Sequence, residues 1–234
     1  MTGLARVWIV PVDLPPEVVA RCRDVLDSGE RARAAAFLSE RDRQQYTVGH
    51  GALRFLAARE LRATPSALRW SPGPHGKPEL AAPWSGSGLR TSLSHSADLV
   101  AVAIAVGRAV GVDIQHLAPC VDVVSMSARF YPPAEAAYVA TGPDAGARAD
   151  RFTHLWSRKE AVVKAAGGRL WTNLRMAVLG CDVVSCAEPP GPHRVADVPA
   201  PAGFRAAVAL AGAGPFVTQA VEWASEVAAP ADTG

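Results

Sequence analysis

The sequence lacks a strong excess of charge of either sign. Its 24 Lys and Arg residues nearly balance 22 Asp and Glu residues, which leaves a formal net charge of +2 at pH 7. The arginines are spread along the chain rather than gathered into a basic run, so the electrostatic footprint of a nucleic-acid-binding protein is missing. Nucleic acid is therefore not an expected partner.

A long apolar run is also missing, since no segment reaches the roughly 18 apolar residues that a membrane-spanning helix needs. Residues 1–16 contain only the short apolar stretch 7–12, which Pro11 interrupts. They lack the basic, apolar and small-residue order of a signal peptide. We expect no membrane partner and a cytoplasmic protein.

Paired cysteine spacings are absent as well. The four cysteines, at positions 22, 120, 181 and 186, form no CxxC pattern, and no nearby pair of histidines completes a zinc site. Because 49% of the 234 residues are hydrophobic, the chain can build a core without a disulfide or a structural metal. The cysteines are interpreted as structural thiols.

Local patterns predict a mixture of strands and helices in a repeated order. The predicted strands are 6–12, 99–106, 109–114, 178–184, 204–210 and 216–223; the predicted helices are 17–26, 44–61, one from residue 134 and 149–166; loops are predicted over 71–88 and 188–201. An arginine-containing segment, a long helix and strands follow one another in both halves, which suggests an internal duplication with a cleft between the halves.

Residues 110–115 (VGVDIQ) place an aspartate inside an otherwise apolar strand. A buried carboxylate is costly unless it is paired, hydrogen-bonded or bound to a metal. The two-residue period of a strand puts Asp113 and Gln115 on one face and Val112 and Ile114 on the other. From this segment alone, a metal ligand and an Asp that caps a turn or pairs with an Arg are equally good interpretations.

Two further segments carry polar groups that could do chemistry. In residues 156–165 (WSRKEAVVKA), Glu160 and Lys164 share a helix face, which alone predicts an ordinary solvated ion pair. In residues 92–96 (SLSHS), the hydroxyls and the imidazole suit hydrogen bonds to an anion such as phosphate. A hydrolase triad is excluded, because the Ser, His and Asp of this region are too close in sequence and no GxSxG elbow exists.

Together these segments resemble the motifs of the 4′-phosphopantetheinyl transferases, in the larger single-chain, Sfp-type branch. Residues 110–114 resemble the family's GxDI(E) motif, residues 156–165 its W-x-x-KEA-x-x-K motif and residues 93–96 its (N)xSHS motif. Residues 76–78 (GKP) and 49–54 resemble its GKP loop and its G-x-x-x-LR helix. The motifs follow one another in the family's order.

The resemblance implies an α+β fold of two similar α/β halves with mainly antiparallel sheets and the active site between them. We expect residues 1–108 to contact the 3′-phosphate of coenzyme A, and residues 109–234 to hold the metal site, the catalytic helix and the carrier-protein contacts. The resemblance also implies a holo-[carrier-protein] synthase. Such an enzyme transfers 4′-phosphopantetheine from coenzyme A to a serine of an acyl or peptidyl carrier protein and leaves 3′,5′-ADP. A monomer suffices for such a site, and the branch is usually associated with secondary metabolite biosynthesis.

The same resemblance assigns the catalytic end of the site. Asp113 and Glu160 are implied as Mg²⁺ ligands, with Gln115 at the third ligand position. Glu160 is also implied as the general base toward the carrier serine, and Lys164 as the group that neutralises charge on the leaving side. Gln115 departs from the acidic residue of the family pattern, so we expect retained activity with altered metal affinity.

At the other end of coenzyme A, the resemblance assigns Arg33 and His95 to the 3′-phosphate. It assigns Lys77 and Ser94, together with Gly76 of the GKP loop, to the nucleotide part. A second departure is Glu30, where the pattern often has a basic residue; one of the arginines at positions 31, 41 and 43 would then compensate.

Two alternatives stay open at this stage. The chain could be a non-catalytic module that binds coenzyme A or a carrier protein, although the retained acidic and basic motif residues argue against it. The apolar residues of segment 121–131 could form the surface on which a carrier helix docks, or they could simply cover the core.

Overall fold

The computed structural model describes residues 2–73, 76–117 and 122–223. Its helices are α1 (Pro16–Asp24), α2 (Ser28–Ala35), α3 (Glu40–Leu61), α4 (Val123–Phe130), α5 (Pro133–Ala140), α6 (Ala145–Ala166) and α7 (Leu170–Asn173). Its strands are β1 (Gly3–Pro11), β2 (Trp70–Pro72), β3 (Pro78–Leu80), β4 (Leu89–Ser96), β5 (Leu99–Val106), β6 (Val110–His116), β7 (Val183–Ala187), β8 (Pro190–Val198), β9 (Phe204–Ala211) and β10 (Phe216–Glu222). Among the described residues, no helix is both long and apolar enough to cross a bilayer.

The two large sheets repeat one topology. The first has the order β10-β1-β5-β4 and the second the order β6-β9-β8-β7. The antiparallel trio β1-β5-β4 corresponds to the antiparallel trio β6-β9-β8, and a 22-residue helix, α3 or α6, belongs to each. The predicted α+β fold with two similar halves and mainly antiparallel sheets is confirmed.

The predicted division into halves 1–108 and 109–234 follows these sheets except at one strand. Strand β10 lies late in the chain but pairs in parallel with β1, so it completes the first sheet. The functional division between the halves stays a prediction.

Alternating side chains stack the layers in the order α3, first sheet, second sheet, α6. In β5, Val100, Val102 and Ile104 pack into the core that contains α3, while the alanines between them pack against the second sheet. The other face of the second sheet packs against α6. Because side chains alternate along a strand, this apolar strand contributes one face to the core with α3 and the other face to the core between the two sheets.

Several local predictions need correction. The segment predicted as a loop over 188–201 contains strand β8, because its prolines at positions 190 and 192 precede the stretch from Arg194 that pairs with β9. The strand predicted over 178–184 begins only at Val183. The polar segment before α3 contains helix α2, which an Asp27–Glu30 capping box begins. The predicted strands 99–106 and 109–114 are confirmed as buried, but they lie in different sheets.

Gly111 allows α6 to pack directly on β6. A Cβ atom at this position would overlap the carbonyl oxygen of Ala161 and the amide nitrogen of Ala165, and would lie 2.9 Å from the carbonyl carbon of Lys164. Since all of these are backbone atoms, no side-chain rotation can make room. The glycine of the 110–114 motif thus sets the distance between its aspartate and the helix of the 156–165 motif.

We predict that Gly111→Ala destabilises the protein by about 3 kcal/mol, because the helix must move away from the strand. Urea denaturation of the purified variant measures this change. Gly86→Ala is the matched control, since a Cβ there meets no atom within 4 Å. A Gly111→Ala protein that is as stable as the control variant would contradict the close packing.

Candidate active site

One carboxylate receives hydrogen bonds from both halves of the molecule. Asp113 of β6 is fully buried, and its Oδ1 accepts a 2.7 Å hydrogen bond from Ser94 of β4 and a 2.7 Å bond from Lys164 of α6. Lys164 also donates to the Ser94 hydroxyl at 2.8 Å. Three of the predicted site residues therefore form one connected group.

The second oxygen of Asp113 is the unusual one. Oδ2 is buried and has no hydrogen-bond partner among the described residues. A buried carboxylate oxygen without a partner is costly, and a hard divalent cation is a partner that would relieve this cost. The sequence left open that Asp113 caps a turn or pairs with an arginine. In the structure it lies within strand β6 and pairs with Lys164 instead.

Glu160 belongs to the same electrostatic environment. Desolvation raises the pKa of this half-buried carboxyl above its ordinary value, the negative charge of Asp113 raises it further, and the Lys164 ammonium partly opposes both effects. Lys164 therefore acts on both carboxyl groups instead of forming the ordinary solvated pair with Glu160.

The donor set fits Mg²⁺ better than a metal that needs a complete protein shell. The described part of the chain has no cluster of three or more His, Cys, Asp and Glu side chains that could hold a metal. Gln115, the amide at the predicted third ligand position, lies near the half-exposed end of β6, and its role as a ligand stays a prediction. Mg²⁺ needs only one or two carboxylates when waters and substrate phosphates complete its shell.

A cavity of about 790 Å³ opens beside this group. Helices α2 and α3, the β2–β3 loop, β4 and the C-terminal end of α6 line it, and it includes the predicted residues Arg33, Gly76, Lys77, His95 and Lys164. Its volume is in the range of cofactor sites. The structure brings the predicted coenzyme A residues and the predicted catalytic lysine to one cavity, with Ser94 bonded to that lysine.

Comparison with known proteins places this arrangement in a family. Residues 109–191, which include β6 and α6, match the model of the 4′-phosphopantetheinyl transferase superfamily. HetI, a 4′-phosphopantetheinyl transferase of Nostoc sp. (strain PCC 7120), is 33% identical over 160 residues, which are 68% of this chain and 67% of HetI. The chain belongs to the 4′-phosphopantetheinyl transferase superfamily. The predicted family and enzyme class are thereby confirmed.

Two further relatives carry related names. A phosphopantetheinyl transferase of Thraustochytrium sp. is 32% identical over 173 residues, 70% of this chain and 60% of the relative. A 4′-phosphopantetheinyl transferase of Bacillus subtilis is 26% identical over 148 residues, 63% of this chain and 62% of the relative. The matched segments thus span about two thirds of these relatives' lengths or somewhat less, and the Sfp-type branch stays a prediction.

In this transferase, Lys77 makes contacts that the sequence did not predict. Its ammonium donates to the backbone oxygens of Val110 at 2.8 Å and of Lys164 at 2.7 Å. Desolvation lowers its pKa to about 8, against an opposing contribution from Glu79. The loop of the first half is thereby fastened to the strand and the helix that carry Asp113 and Glu160. A nucleotide contact of Lys77 stays a prediction.

The two predicted 3′-phosphate ligands have side chains at the cavity surface. His95 is exposed, and desolvation by the cavity walls and the charge of Lys164 lower the pKa of its imidazole. Arg33 is exposed with its guanidinium 5.4 Å from the centre of the Phe37 ring. That His95 and Arg33 bind the 3′-phosphate remains a prediction.

The unexpected Glu30 is part of a buried network around Arg54. Arg54 is fully buried and donates to Glu30 at 2.6 Å and to Asp27 at 2.8 Å. Burial raises the pKa of Glu30, but hydrogen bonds from His50 and Arg54 outweigh it, and the net pKa is lowered. Glu30 therefore holds α2 in place as an anion, and the D-x-x-E capping pattern was the signal for it.

None of the three arginines considered as compensation for Glu30 lines the described cavity. Arg31 donates to the backbone oxygen of Leu26, and Arg43 pairs with Glu40. Arg41 likewise lies outside the cavity wall. Of the arginines discussed for the 3′-phosphate, Arg33 is the one at the cavity.

The lysine next to Glu160 has a structural role. Lys159 is fully buried, forms a 2.6 Å ion pair with Glu135 of α5 and donates to the backbone oxygen of Met176. Glu135 in turn accepts hydrogen bonds from the backbone N–H groups of Val178 and Leu179. In the KEA segment, Lys159 therefore points into the core, while the neighbouring Glu160 is half-buried and within electrostatic reach of Lys164 and Asp113.

The predicted carrier surface, residues 121–131, divides in the same way. Val121 lies outside the described residues, and Val123 and Tyr131 are buried in the core. Val124 is 37% exposed, and the Phe130 ring lies 5.9 Å from Trp171, which is 69% exposed. Core covering is thus correct for part of the segment, and docking stays a prediction for the remainder.

We predict that Lys159→Met lowers the free energy of unfolding by about 4 kcal/mol, because it leaves the buried Glu135 carboxylate without its cation. Chemical denaturation measures the change. Arg43→Met removes the exposed pair with Glu40 and should cost less than about 1 kcal/mol. Equal stability of the two variants would contradict the structural role of Lys159.

Proposed function

We propose that this transferase moves the 4′-phosphopantetheine arm of coenzyme A onto a serine of an acyl or peptidyl carrier protein and releases 3′,5′-ADP, with Mg²⁺ at the pyrophosphate. The observation that carries the proposal is the fully buried Asp113, whose Oδ2 has no partner in the described structure and whose Oδ1 is held by Ser94 and Lys164 beside the cavity.

The cavity offers positive charge to an anionic ligand through Arg33, Lys77 and Lys164. The carboxylates of Asp27 and Glu30 also line it, but both are paired with the Arg54 guanidinium. Arg33 and His95 supply donors to the 3′-phosphate, and the planar fork of an arginine can bind two phosphate oxygens at once. Gly76 and Lys77 form the adjacent wall against the nucleotide part. The pyrophosphate would then lie toward Lys164, at the end of the cavity next to Asp113.

Asp113 and Glu160 would hold the metal, with Gln115 contributing its amide oxygen or leaving the place to water. When bound, Mg²⁺ neutralises the charge of the pyrophosphate and stabilises the in-line displacement. The unpartnered Oδ2 of Asp113 supports this assignment, and Mg²⁺ needs only one or two carboxylates when water and phosphate oxygens complete its shell.

Glu160 has the properties of a general base. Its pKa is raised, mainly by desolvation, which brings it nearer to the pH at which proton transfer is efficient. It takes the proton of the carrier serine, directly or through a water, as the serine oxygen bonds to the β-phosphorus. The bond from that phosphorus to the oxygen of 3′,5′-ADP breaks, and Lys164 neutralises charge on the leaving side.

Both halves of the site come from one chain, so we propose that a monomer is active. The carrier would approach over the surface formed by Val124, Phe130 and Trp171, where exposed apolar side chains can receive an amphipathic helix. A role in secondary metabolism remains part of the proposal.

The direct test incubates the chain with apo carrier protein, coenzyme A and Mg²⁺, and measures the intact mass of the carrier. A panel of fatty-acid, polyketide and peptide-synthetase carriers shows which class is served. The proposal expects the mass of one phosphopantetheine arm on at least one carrier. Coenzyme A binding without a mass gain on any carrier would favour the non-catalytic binding module instead.

We predict that Glu160→Gln lowers the rate of transfer at least about 100-fold with little change in the fold, because the amide cannot accept the serine proton. Intact-mass time courses and circular dichroism measure the two effects. Glu17→Gln, at an exposed position, is the matched control. Near-normal turnover of Glu160→Gln would remove Glu160 from the mechanism.

We predict that Gln115→Glu lowers the Mg²⁺ concentration needed for half-maximal transfer by about tenfold, because a third carboxylate binds the hard cation more strongly than an amide does. A Mg²⁺ titration of the transfer rate measures the shift. An unchanged titration curve would place position 115 outside the metal shell.

A further inference from the structure

The two halves meet along a line of serine hydroxyls. Strand β4 is an edge of the first sheet and β6 is an edge of the second. The Ser92 hydroxyl accepts a 3.0 Å hydrogen bond from the Val112 N–H, and the Ser96 hydroxyl accepts a 2.9 Å bond from the His116 N–H. We call Ser92 and Ser96 with these two bonds the serine seam.

The strand period explains why the serines share one side. In β4, Thr91, Leu93 and His95 line the cavity, and the serines at 92, 94 and 96 alternate with them along the strand. Ser92 also borders the cavity, whereas Ser94 and Ser96 are not among its lining residues. An edge strand ordinarily presents unpaired backbone groups that need partners. In the seam, side-chain hydroxyls supply those partners to β6.

The seam encloses the key carboxylate. Val112 precedes Asp113 by one residue and His116 follows it by three, so one bond lies on each side. Between them, Ser94 donates to Asp113. A shift of β6 along or away from β4 would break both seam bonds and would also move Asp113 from Ser94.

We infer that Ser92 and Ser96 are positioning residues, which hold β6 against β4 so that Asp113 meets Ser94 and Lys164 and presents its other oxygen to the site. The kinetic consequence rests on the proposed function, whereas the hydrogen bonds themselves do not. Loss of the Ser92 hydroxyl should have a larger effect than loss of the Ser96 hydroxyl. The Ser92 bond is buried and the Ser96 bond is exposed, and a hydrogen-bonding group left without its partner costs more when it is buried.

Amide hydrogen exchange by NMR tests the seam without any assay of activity. In Ser92→Ala the exchange of the Val112 N–H should accelerate at least about tenfold, with a smaller acceleration at His116 in Ser96→Ala. The carboxyl carbon shift of Asp113 should change in both variants. Ser185→Ala, at an exposed position of β7, is the control. Unchanged exchange at Val112 and His116 would overturn the seam.

The transfer reaction tests the positioning role. Ser96 does not line the described cavity, so Ser96→Ala should lower kcat about fivefold and leave the KM for coenzyme A within about twofold of its normal value. Ser92→Ala should lower kcat by more, and Ser92→Thr, which keeps the acceptor oxygen, should restore most of it. A raised KM with normal kcat in Ser92→Ala would instead identify a ligand contact and overturn the inference.

The two kinds of measurement separate the seam from the proposed function. If the unaltered chain transfers nothing to any carrier, the proposed function fails, while the exchange and carbon-shift data still decide whether the serines position Asp113. If transfer is normal in both alanine variants although their amides exchange faster, the seam is real but the positioning role is wrong.

Discussion

A single buried carboxylate links the parts of this structure. Asp113 lies where the edges of two sheets and the long helix of the second half meet, and its burial must be compensated because a charged group in the interior is expensive. Ser94 compensates from the first half and Lys164 from the helix. They leave the oxygen Oδ2 without a hydrogen-bond partner in the described structure, and this is the atom to which the proposed function assigns the metal.

The surrounding architecture keeps these groups within hydrogen-bond distance of one another. Gly111 lets the helix approach the strand, Lys77 joins the loop of the first half to both of them, and the serines of β4 hold the edge of β6. The two similar halves provide the setting, since helices and strand β4 of the first half and the C-terminal end of α6 of the second half border one cavity. A site shared between two halves needs this kind of fixed geometry, because small displacements have large effects on reaction rates.

Much of this could be predicted from the sequence, because the segments around Asp113, Glu160 and Ser94 each combine a polar residue with an apolar pattern. The long helices and the apolar strands were equally clear. What could not be predicted depends on tertiary contacts. Strand β8 was hidden because its prolines suggested a loop; in the structure they lie opposite the edge strand β7 and before the stretch that pairs with β9. The burial of the Lys159 side chain could not be predicted either. Lys159 is five residues before Lys164 and therefore about 140° away around the helix, but this spacing does not say which of the two sides packs against the core.

In the proposed function, Asp113 and Glu160 share one divalent ion that also contacts a pyrophosphate. A crystal structure with Mn²⁺ and coenzyme A, measured with anomalous scattering, tests it most directly. We expect one anomalous peak at coordination distance from Asp113 Oδ2, a Glu160 carboxyl oxygen and a phosphate oxygen. A peak that contacts neither carboxylate, or carboxyl groups too far apart to share the ion, would contradict it.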